Sequence, residues 1–377
     1  MPDQTEELLG LAKRLRGTGA GVSDYRVVVG LDGFIDMLSR VVSSRESRTA
    51  HQSFETITDF SGSLGRAAGK SAQYELDRYA TKLGGNAPIM SMALSSLGVS
   101  TTCLGAVGYP EMDPIFSPLA EKAEVVSYAN PGITNAFEFN DGKLMFADFR
   151  PFTEVSWETF QKRVPKERLK QMLSGSGLLA LVDWSNIFGV EEIWAGLIRE
   201  VVEPLAPAAR PSVFFDLADP SARKQEDIRE AIETIRLCGR LCPTTLGLNL
   251  NEAEKVLIAL SDRDLDRDKG EAKEITESLM AFLPEVTLAV HPRDYSVSAS
   301  GGELAVRKGK VVSNPRISTG GGDNFNAGFC LGVLLGESAP SCLLLGMAMS
   351  CSYVSEGRSP SISELADFVE NWASDLG

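Results

Sequence analysis

The chain has 377 residues, of which 43% are hydrophobic and 23% charged, a composition typical of globular proteins and not of disordered, fibrous or membrane proteins. Its formal net charge is -14, and no cluster of Lys and Arg suited to a phosphate backbone occurs, so we expect no nucleic-acid partner. No uninterrupted apolar run reaches 18 residues, so we expect no membrane span.

The first residues, Met1-Pro2-Asp3-Gln4, have neither the basic nor the apolar region of a signal peptide, and we expect a cytoplasmic protein. Of six cysteines only Cys238 and Cys242 lie close together. Their C-x-x-x-C spacing, with only two His in the chain, favours buried free thiols over a zinc site.

The first hundred residues predict a helix, a buried strand and then an unusual insertion. Apolar residues at helical spacing cover Glu6 to Arg16, and Val27 to Val29 is a short apolar strand. From about Val41 to Lys82 the sequence turns polar and Ser-rich, with alternating stretches typical of exposed β-hairpins. We interpret this segment as a cover over a site, followed by a helix from Pro88 to Leu97.

A strand from Thr101 to Val107 follows, and then a hairpin is indicated by the Asp141-Gly142 turn between alternating flanks. This hairpin predicts a second part of the same cover. The expected domain organisation is therefore one domain, residues 1–377, with lid segments at about 37–82 and 125–155.

The second half alternates strands with helices of similar length, which predicts βαβ units and a mostly parallel sheet. The predicted elements are the strand Leu178–Val182, the helix Glu191–Val202, the strand Ser212–Phe215, the helix Lys224–Leu237, the strand Leu246–Asn249, the helix Glu252–Leu260, the strand Val286–Val290 and a hairpin over Tyr295–Val306. The charge run from Asp262 to Lys269 is expected to be a solvated loop.

A glycine-rich stretch near residue 320 is the most informative motif. Gly320, Gly321 and Gly322 allow backbone N–H groups to converge, and the helix that follows directs its N-terminus to the same point. This arrangement predicts an anion site. A carboxylate beside an anion, at Asp323, is electrostatically unfavourable unless it takes a proton from an attacking hydroxyl.

The stretch Ser318 to Phe325 resembles the late signature of the PfkB/ribokinase family of carbohydrate kinases, approximately D-T-x-G-A-G-D-x-F. Three further matches follow the family's order. They are Gly84-Gly85-Asn86-Ala87 with Leu94-Ser95-Ser96-Leu97-Gly98, then Cys103-Leu104-Gly105-Ala106-Val107-Gly108, and Asn251-Glu252-Ala253-Glu254 as an N-x-x-E element. Together the matches span Val27 to about Gly357.

The resemblance implies a ribokinase-like, doubly wound α/β fold with a small β lid, and an ATP-dependent kinase acting on a hydroxyl of a sugar-like small molecule. It assigns Asp323 as the catalytic base and Gly320, Gly321 and Gly322 as an anion hole. The cofactors it implies are ATP and Mg2+. A homodimer formed through the lid is a further hypothesis.

The remaining site residues are also implied by the resemblance. Acceptor binding falls to Asp36, with Asp32 as the alternative, and to the turn at Gly84, Gly85 and Asn86. Nucleotide contacts fall to Thr319, Asn251 and Glu254, and Glu254 supports the metal.

Three departures from the family pattern limit these assignments. Ile317 stands where many members have the Asp of a monovalent-cation site, so we expect weak potassium activation. Tyr109-Pro110 replaces an acidic pair, and His291-Pro292 replaces a glycine-bearing turn near the nucleotide. His291 and His51 are expected at the surface.

Alternatives remain open at this stage. The segment Gly65 to Ser71 is similar to a phosphate-binding P-loop, but the spacing of its first glycine is one residue too short. A nucleoside or vitamin-alcohol acceptor is compatible with the same fold. A sugar-binding module without catalysis is the alternative from another functional class.

Overall fold

The structure is a computed structural model that describes residues 4–261, 271–317 and 319–376. The charge run at 262–269 and Ser318 of the glycine-rich motif lie outside the described residues. A nine-stranded sheet forms the centre, in the order β14-β13-β12-β11-β10-β9-β1-β5-β6. Strands from β6 to β12 along this order are parallel, and β13 and β14 pair antiparallel at one edge.

The strands of the large sheet are β1 (Arg26–Leu31), β5 (Ser100–Gly105), β6 (Glu124–Ser127), β9 (Leu178–Leu181), β10 (Ser212–Asp216), β11 (Thr244–Leu248), β12 (Thr287–Val290), β13 (Tyr295–Ser300) and β14 (Glu303–Lys308). Those of a separate small sheet are β2 (Phe34–Arg45), β3 (His51–Ser53), β4 (Leu76–Gly84), β7 (Gly132–Phe139) and β8 (Gly142–Asp148).

Helices cover both faces of the large sheet. Those described are α1 (Gln4–Thr18), α2 (Ile57–Arg66), α3 (Asn86–Ser96), α4 (Ser117–Ala120), α5 (Trp157–Arg163), α6 (Lys166–Leu173), α7 (Val190–Leu197), α8 (Gln225–Leu241), α9 (Leu250–Ser261), α10 (Ala272–Phe282), α11 (Gly321–Leu334), α12 (Ala339–Glu356) and α13 (Ile362–Leu376). One buried cluster includes residues of α5 to α10, and the other includes residues of α1, α3 and α11 to α13.

Strand β1 shows why the sheet needs cover on both sides. Val27 and Val29 belong to one buried cluster, whereas Val28 between them belongs to the other. Side chains of a strand alternate between faces, so a continuous apolar run is stable only when both faces are covered. The doubly wound α/β class predicted from the sequence is confirmed.

The small sheet lies within and beside the segments predicted as a lid. Its strand β2 begins at Phe34, ahead of the expected boundary, and β6 at the start of the second segment joins the large sheet instead. Helix α2 occupies part of the first segment, where only hairpins were expected. The Thr56 side chain caps the N-terminus of this helix by accepting a hydrogen bond from the Asp59 backbone N–H. Phe60 packs against Phe139 of β7, with ring centroids 5.6 Å apart.

The C-terminal apolar stretch forms two helices, α11 and α12. Gly336, with a φ of +70°, ends the first helix, because glycine adopts this backbone conformation without the steric penalty of a Cβ atom. Within the residues that the structure describes, no helix is long and apolar enough to cross a bilayer.

Candidate active site

The glycine-rich turn leads directly into helix α11. Gly320 precedes the helix with a φ of +84°, and a Cβ atom there would lie 2.8 Å from the Tyr353 hydroxyl. Asp323 lies in the first turn of α11. Burial, followed by the nearby Asp216 and Asp32 carboxylates, raises the pKa of Asp323 well above its ordinary value. Such a carboxyl is a suitable proton acceptor for an alcohol, because its conjugate acid is unusually weak.

Carboxylates from several neighbouring elements lie together at the C-terminal ends of the parallel strands. Asp32 follows β1, Asp183 follows β9, Asp216 ends β10, and Glu252 lies in the first turn of α9. All four are buried, with 0% to 6% of the residue exposed. Asp183 and Asp216 were not predicted from the sequence, because a single Asp after an apolar strand has no distinguishing motif.

Asp32 is committed to the protein interior. Its carboxylate accepts hydrogen bonds from the backbone N–H groups of Asn86 and Ala87, each at 2.7 Å, and the Asp183 carboxyl group lies close to it. These contacts anchor the N-terminus of α3. The geometry of Asp32 therefore does not support its alternative role in binding the phosphoryl acceptor.

Asp36 lies on the small sheet and faces the glycine pair. It is aligned with Thr134 on β7 and Lys82 on β4, and the Thr134 side chain is hydrogen-bonded to it. A Cβ atom on Gly84 would lie 2.5 Å from the Asp36 carboxyl group. The glycine therefore leaves the space that this carboxylate occupies. Burial raises the pKa of Asp36, although Lys82 and Lys143 partly offset the effect.

Gly85 has a different reason to be glycine. Its φ is +98°, and a Cβ atom would lie 2.6 Å from Asp32 Oδ2. Asn86 begins α3 directly after it. The predicted turn of Gly84, Gly85 and Asn86 thus lies between Asp36 and Asp32.

A cavity of about 500 Å³ lies between the small sheet and helices α3, α12 and α13. Asp36 and Lys82 border it on the small sheet, and Ile317, Thr319 and Tyr353 border it on the other side. Burial, with a further contribution from the Asp323 carboxylate, raises the pKa of Tyr353 to about 12. The Asp36 carboxylate in turn contributes to the raised pKa of Asp323. The structure thus brings Thr319 and Asp36 to one cavity beside Asp323.

The N-x-x-E element has a second possible alignment, which was not predicted from the sequence. Asn249 and Glu252 also fit the spacing, and they form reciprocal hydrogen bonds. The backbone N–H and the side-chain amide of Asn249 donate to the Glu252 carboxylate at 2.8 and 2.6 Å. In return, the Glu252 backbone N–H donates to Asn249 Oδ1 at 3.0 Å. Burial raises the pKa of Glu252, and the carboxylates of Asp216, Asp219 and Asp323 add to the shift.

Asn251 and Glu254, the pair predicted from the sequence, do not lie with the buried Glu252 side chain. Glu254 is two residues beyond Glu252, which corresponds to a rotation of about 200° around the helix, so the two side chains leave opposite sides. Glu254 is partly exposed. The Asn251 side-chain amide donates to Asp219 at 3.2 Å, so Asn251 borders the carboxylate group without joining its buried part.

His291 is not a simple surface residue, contrary to expectation. It follows β12, and its imidazole stacks on Phe325 of α11 with ring centroids 4.2 Å apart. Burial lowers the pKa of His291 to about 4, so the ring is neutral near pH 7. His51 is partly exposed and lies 3.3 Å from Asp77 on the small sheet.

Neither cysteines nor carboxylates form a ready metal cage. Cys238 and Cys242 are buried free thiols, as predicted, with their sulfur atoms 3.6 Å apart. In the described part of the chain, no three His, Cys, Asp or Glu side chains are arranged to hold a metal ion together.

Sequence comparisons find relatives over nearly the whole chain. The family model of prokaryotic ketohexokinase matches residues 3–372. Ketohexokinase from Haloferax volcanii is 24% identical over 358 residues, which cover 93% of this chain and 92% of that protein.

Solved structures support the fold. Adenosine kinase from Sinorhizobium meliloti has a TM-score of 0.62 at 16% identity, with 94% of this chain and 100% of that chain covered. Ribokinase from Cryptococcus neoformans in complex with ADP has a TM-score of 0.62 at 13% identity, with coverage of 91% and 99%. Arabidopsis thaliana ribokinase complexed with ribose and ATP has a TM-score of 0.60 at 14% identity, with coverage of 92% and 98%.

The similarity to these structures concerns the fold, whereas the family match extends over nearly the whole sequence. The chain belongs to the prokaryotic ketohexokinase family, within the PfkB/ribokinase group of carbohydrate kinases, and it is a sugar kinase.

Proposed function

We propose that this sugar kinase transfers the γ-phosphoryl group of ATP to a hydroxymethyl hydroxyl of a ketohexose, with Asp323 as the base. The observation that carries the proposal is the position of Asp323, in the first turn of α11 after three glycines and within electrostatic reach of Asp36. A sugar held by Asp36 presents a hydroxyl between the two carboxylates. The name of the Haloferax relative supports the choice of a ketohexose.

The protein's chemical task is alignment and charge stabilisation, because phosphoryl transfer needs little covalent help. Asp323 orients the acceptor hydroxyl and takes its proton. Backbone N–H groups of Gly320, Gly321 and Gly322 stabilise charge on the phosphoryl oxygens at the positive end of the α11 dipole. Thr319, next to this turn, is a further contact for the nucleotide phosphates.

Residues beside Asp323 fit a bound Mg2+. The ion takes oxygen ligands, keeps several waters and needs one or two carboxylates together with substrate phosphates, so it requires no three-residue cage. Glu252 is the residue we assign to it, acting through water because Asn249 already engages both carboxylate oxygens. Bound Mg2+ would neutralise negative charge on the phosphates. Glu254, the residue first predicted, has no comparable position.

The raised pKa of Asp323 gives the pH dependence of the reaction a sign. A protonated base cannot accept the hydroxyl proton, so kcat/KM rises with pH through the folded pKa of this group. That limb lies above the ordinary Asp pKa of about 3.9.

Direct assay tests the proposal. ATP and Mg2+ are mixed with fructose, other sugars, nucleosides and vitamin alcohols, and the phosphorylated products are identified by mass spectrometry. We expect phosphorylated ketohexose as the main product. Preferred turnover of a nucleoside or a vitamin alcohol contradicts the acceptor assignment, and sugar binding without ADP release favours the non-catalytic binding module.

A homodimer formed through the small sheet extends the proposal to the assembly. Its strand β8 exposes two adjacent large apolar side chains, Met145 and Phe146, at 57% and 54%. Exposed apolar patches often mark protein–protein interfaces. Sedimentation velocity of the parent and of Phe146→Ser measures the assembly, with Val311→Ser, outside the small sheet and 70% exposed, as control. A monomeric parent contradicts the dimer.

The cytoplasmic location stays a prediction.

A further inference from the structure

Asp216, at the end of β10, connects two helices of the site through one buried carboxylate. Its Oδ2 accepts from the Asn326 side-chain amide at 2.8 Å. Its Oδ1 accepts from the Asn86 side-chain amide at 3.4 Å and from the Ala218 backbone N–H at 2.8 Å. Asp216 is 6% exposed, and Asn326 is 1% exposed.

The two amide partners belong to the two halves of the proposed chemistry. Asn86 begins α3, at the turn that we assign to acceptor binding. Asn326 lies three residues after Asp323 on α11, so both side chains leave the same side of that helix. The helices α3 and α11 also pack against each other. One carboxylate therefore spans the interface between the acceptor turn and the base.

The local backbone holds this carboxylate in place. Ala218 has a φ of +53°, an uncommon conformation for a residue with a Cβ atom, and its N–H donates to Asp216. Strained backbone of this kind persists where the surrounding contacts over-determine it, and it is frequent at active sites. Both carboxylate oxygens of Asp216 are thus directed inward by three donors.

We propose that Asp216 is a positioning residue that sets the distance between the acceptor-binding turn at Asn86 and the catalytic base Asp323. The inference rests on the proposed function. It predicts a specific defect, because a displacement of about 1 Å in a reacting group can lower a rate about 100-fold. A misplaced acceptor also leaves space for water, so part of the ATP is hydrolysed without sugar phosphorylation.

Three variants test the role by kinetics. In Asp216→Ala we expect kcat to fall by about 100-fold, the acceptor KM to rise, and more ADP than sugar phosphate to form. The ATP KM should stay close to that of the parent. In Asp216→Asn the loss should be smaller. Asn326 Oδ1 has no hydrogen-bond partner among the described residues, so its amide can turn over and accept from the new side-chain amide.

Glu7→Gln is the matched control, because it neutralises another carboxylate that is nine-tenths buried, bonded to Arg307 at 2.8 Å and remote from the site. It can lower the melting temperature but should leave one ADP per sugar phosphate. The inference is overturned if Asp216→Ala keeps that ratio and the parental kcat, or if Glu7→Gln disturbs the ratio equally. Where Asp216→Ala does not fold, Asn326→Ala breaks the α11 side of the link and receives the same assay.

A measurement of stability separates this inference from the proposed function. If the parent phosphorylates none of the acceptors, the proposed function fails, yet the link can still be tested. The double-mutant cycle of Asn86→Ala and Asn326→Ala in urea unfolding should show coupling in the parent and none in the Asp216→Ala background. Additive effects in the parent overturn the link itself.

Discussion

At Gly84 and Asp36, two residues from different strands are explained by one contact. The carboxylate lies 2.5 Å from the position of a Cβ atom at residue 84, so a side chain there would displace the group proposed to bind the acceptor. This contact could not be predicted from the sequence, because it depends on the pairing of β2 with β4. The sequence could identify both residues only through the family resemblance.

Asp36→Ala is predicted to raise the acceptor KM by about 10-fold or more, because charge-assisted hydrogen bonds to the sugar hydroxyls are lost. The ATP KM should change little. Steady-state kinetics with each substrate varied in turn gives both values. Asp77→Ala, which removes a carboxylate beside His51 on the same small sheet, is the control. An unchanged acceptor KM in Asp36→Ala removes this residue from the site.

Glu252→Gln is predicted to raise the half-saturating Mg2+ concentration by roughly 10-fold, because the side chain keeps its shape but loses its charge. Glu254→Gln, two residues away on the same helix, should leave the metal titration unchanged. The two titrations distinguish the alignments of the N-x-x-E element. A larger shift in Glu254→Gln would restore the first alignment and contradict ours.

At the scale of elements, the N-terminus of α3 depends on a buried acid pair. Asp32 accepts hydrogen bonds from two backbone N–H groups of this helix and lies close to Asp183, whose φ is +59°. Sequence patterns predicted the helix and the strands on either side. They could not predict the pair, because Asp32 and Asp183 are separated by 151 positions, by subtraction of their residue numbers.

The pair is predicted to make stability depend on pH. Burial raises the pKa of Asp183 and raises that of Asp32 to about 7. A carboxyl group with a raised folded pKa contributes stability below its unfolded pKa of about 3.9 and loses it as the pH rises through the folded value. Over this range the stability that the pair contributes should fall as the pH rises.

Asp183→Asn isolates this contribution, because Asn tolerates the left-handed backbone and removes one titrating group. Urea unfolding at both ends of the pH range should show a smaller loss in the variant than in the parent. Equal slopes for the two proteins contradict the assignment.

At the scale of the whole molecule, the alternation of strands and helices predicted the large sheet because each element carries its own periodic signal. The second half was predicted well for this reason. The exception is α10, which was not predicted. The insertion was harder: α2 is short, with 10 residues, and only Phe60 among them is buried. Burial against the small sheet, not local propensity, holds that helix.

Potassium dependence is a property of the assembled site. Ile317 borders the cavity and offers no side-chain oxygen to a hard cation. We predict equal rates in sodium, potassium and large organic-cation buffers at constant ionic strength. Strong activation by potassium alone would show that backbone oxygens form a cation site despite the missing carboxylate.

The central claim is that Asp323 is the catalytic base, and Asp323→Asn tests it most directly. Size and hydrogen-bonding reach are kept while the proton acceptor is lost. We predict that kcat falls by about 10²- to 10⁴-fold, whereas calorimetric affinities for ATP and sugar persist and the melting temperature is unchanged or higher. Parental turnover in a well-folded Asp323→Asn variant would contradict the mechanism.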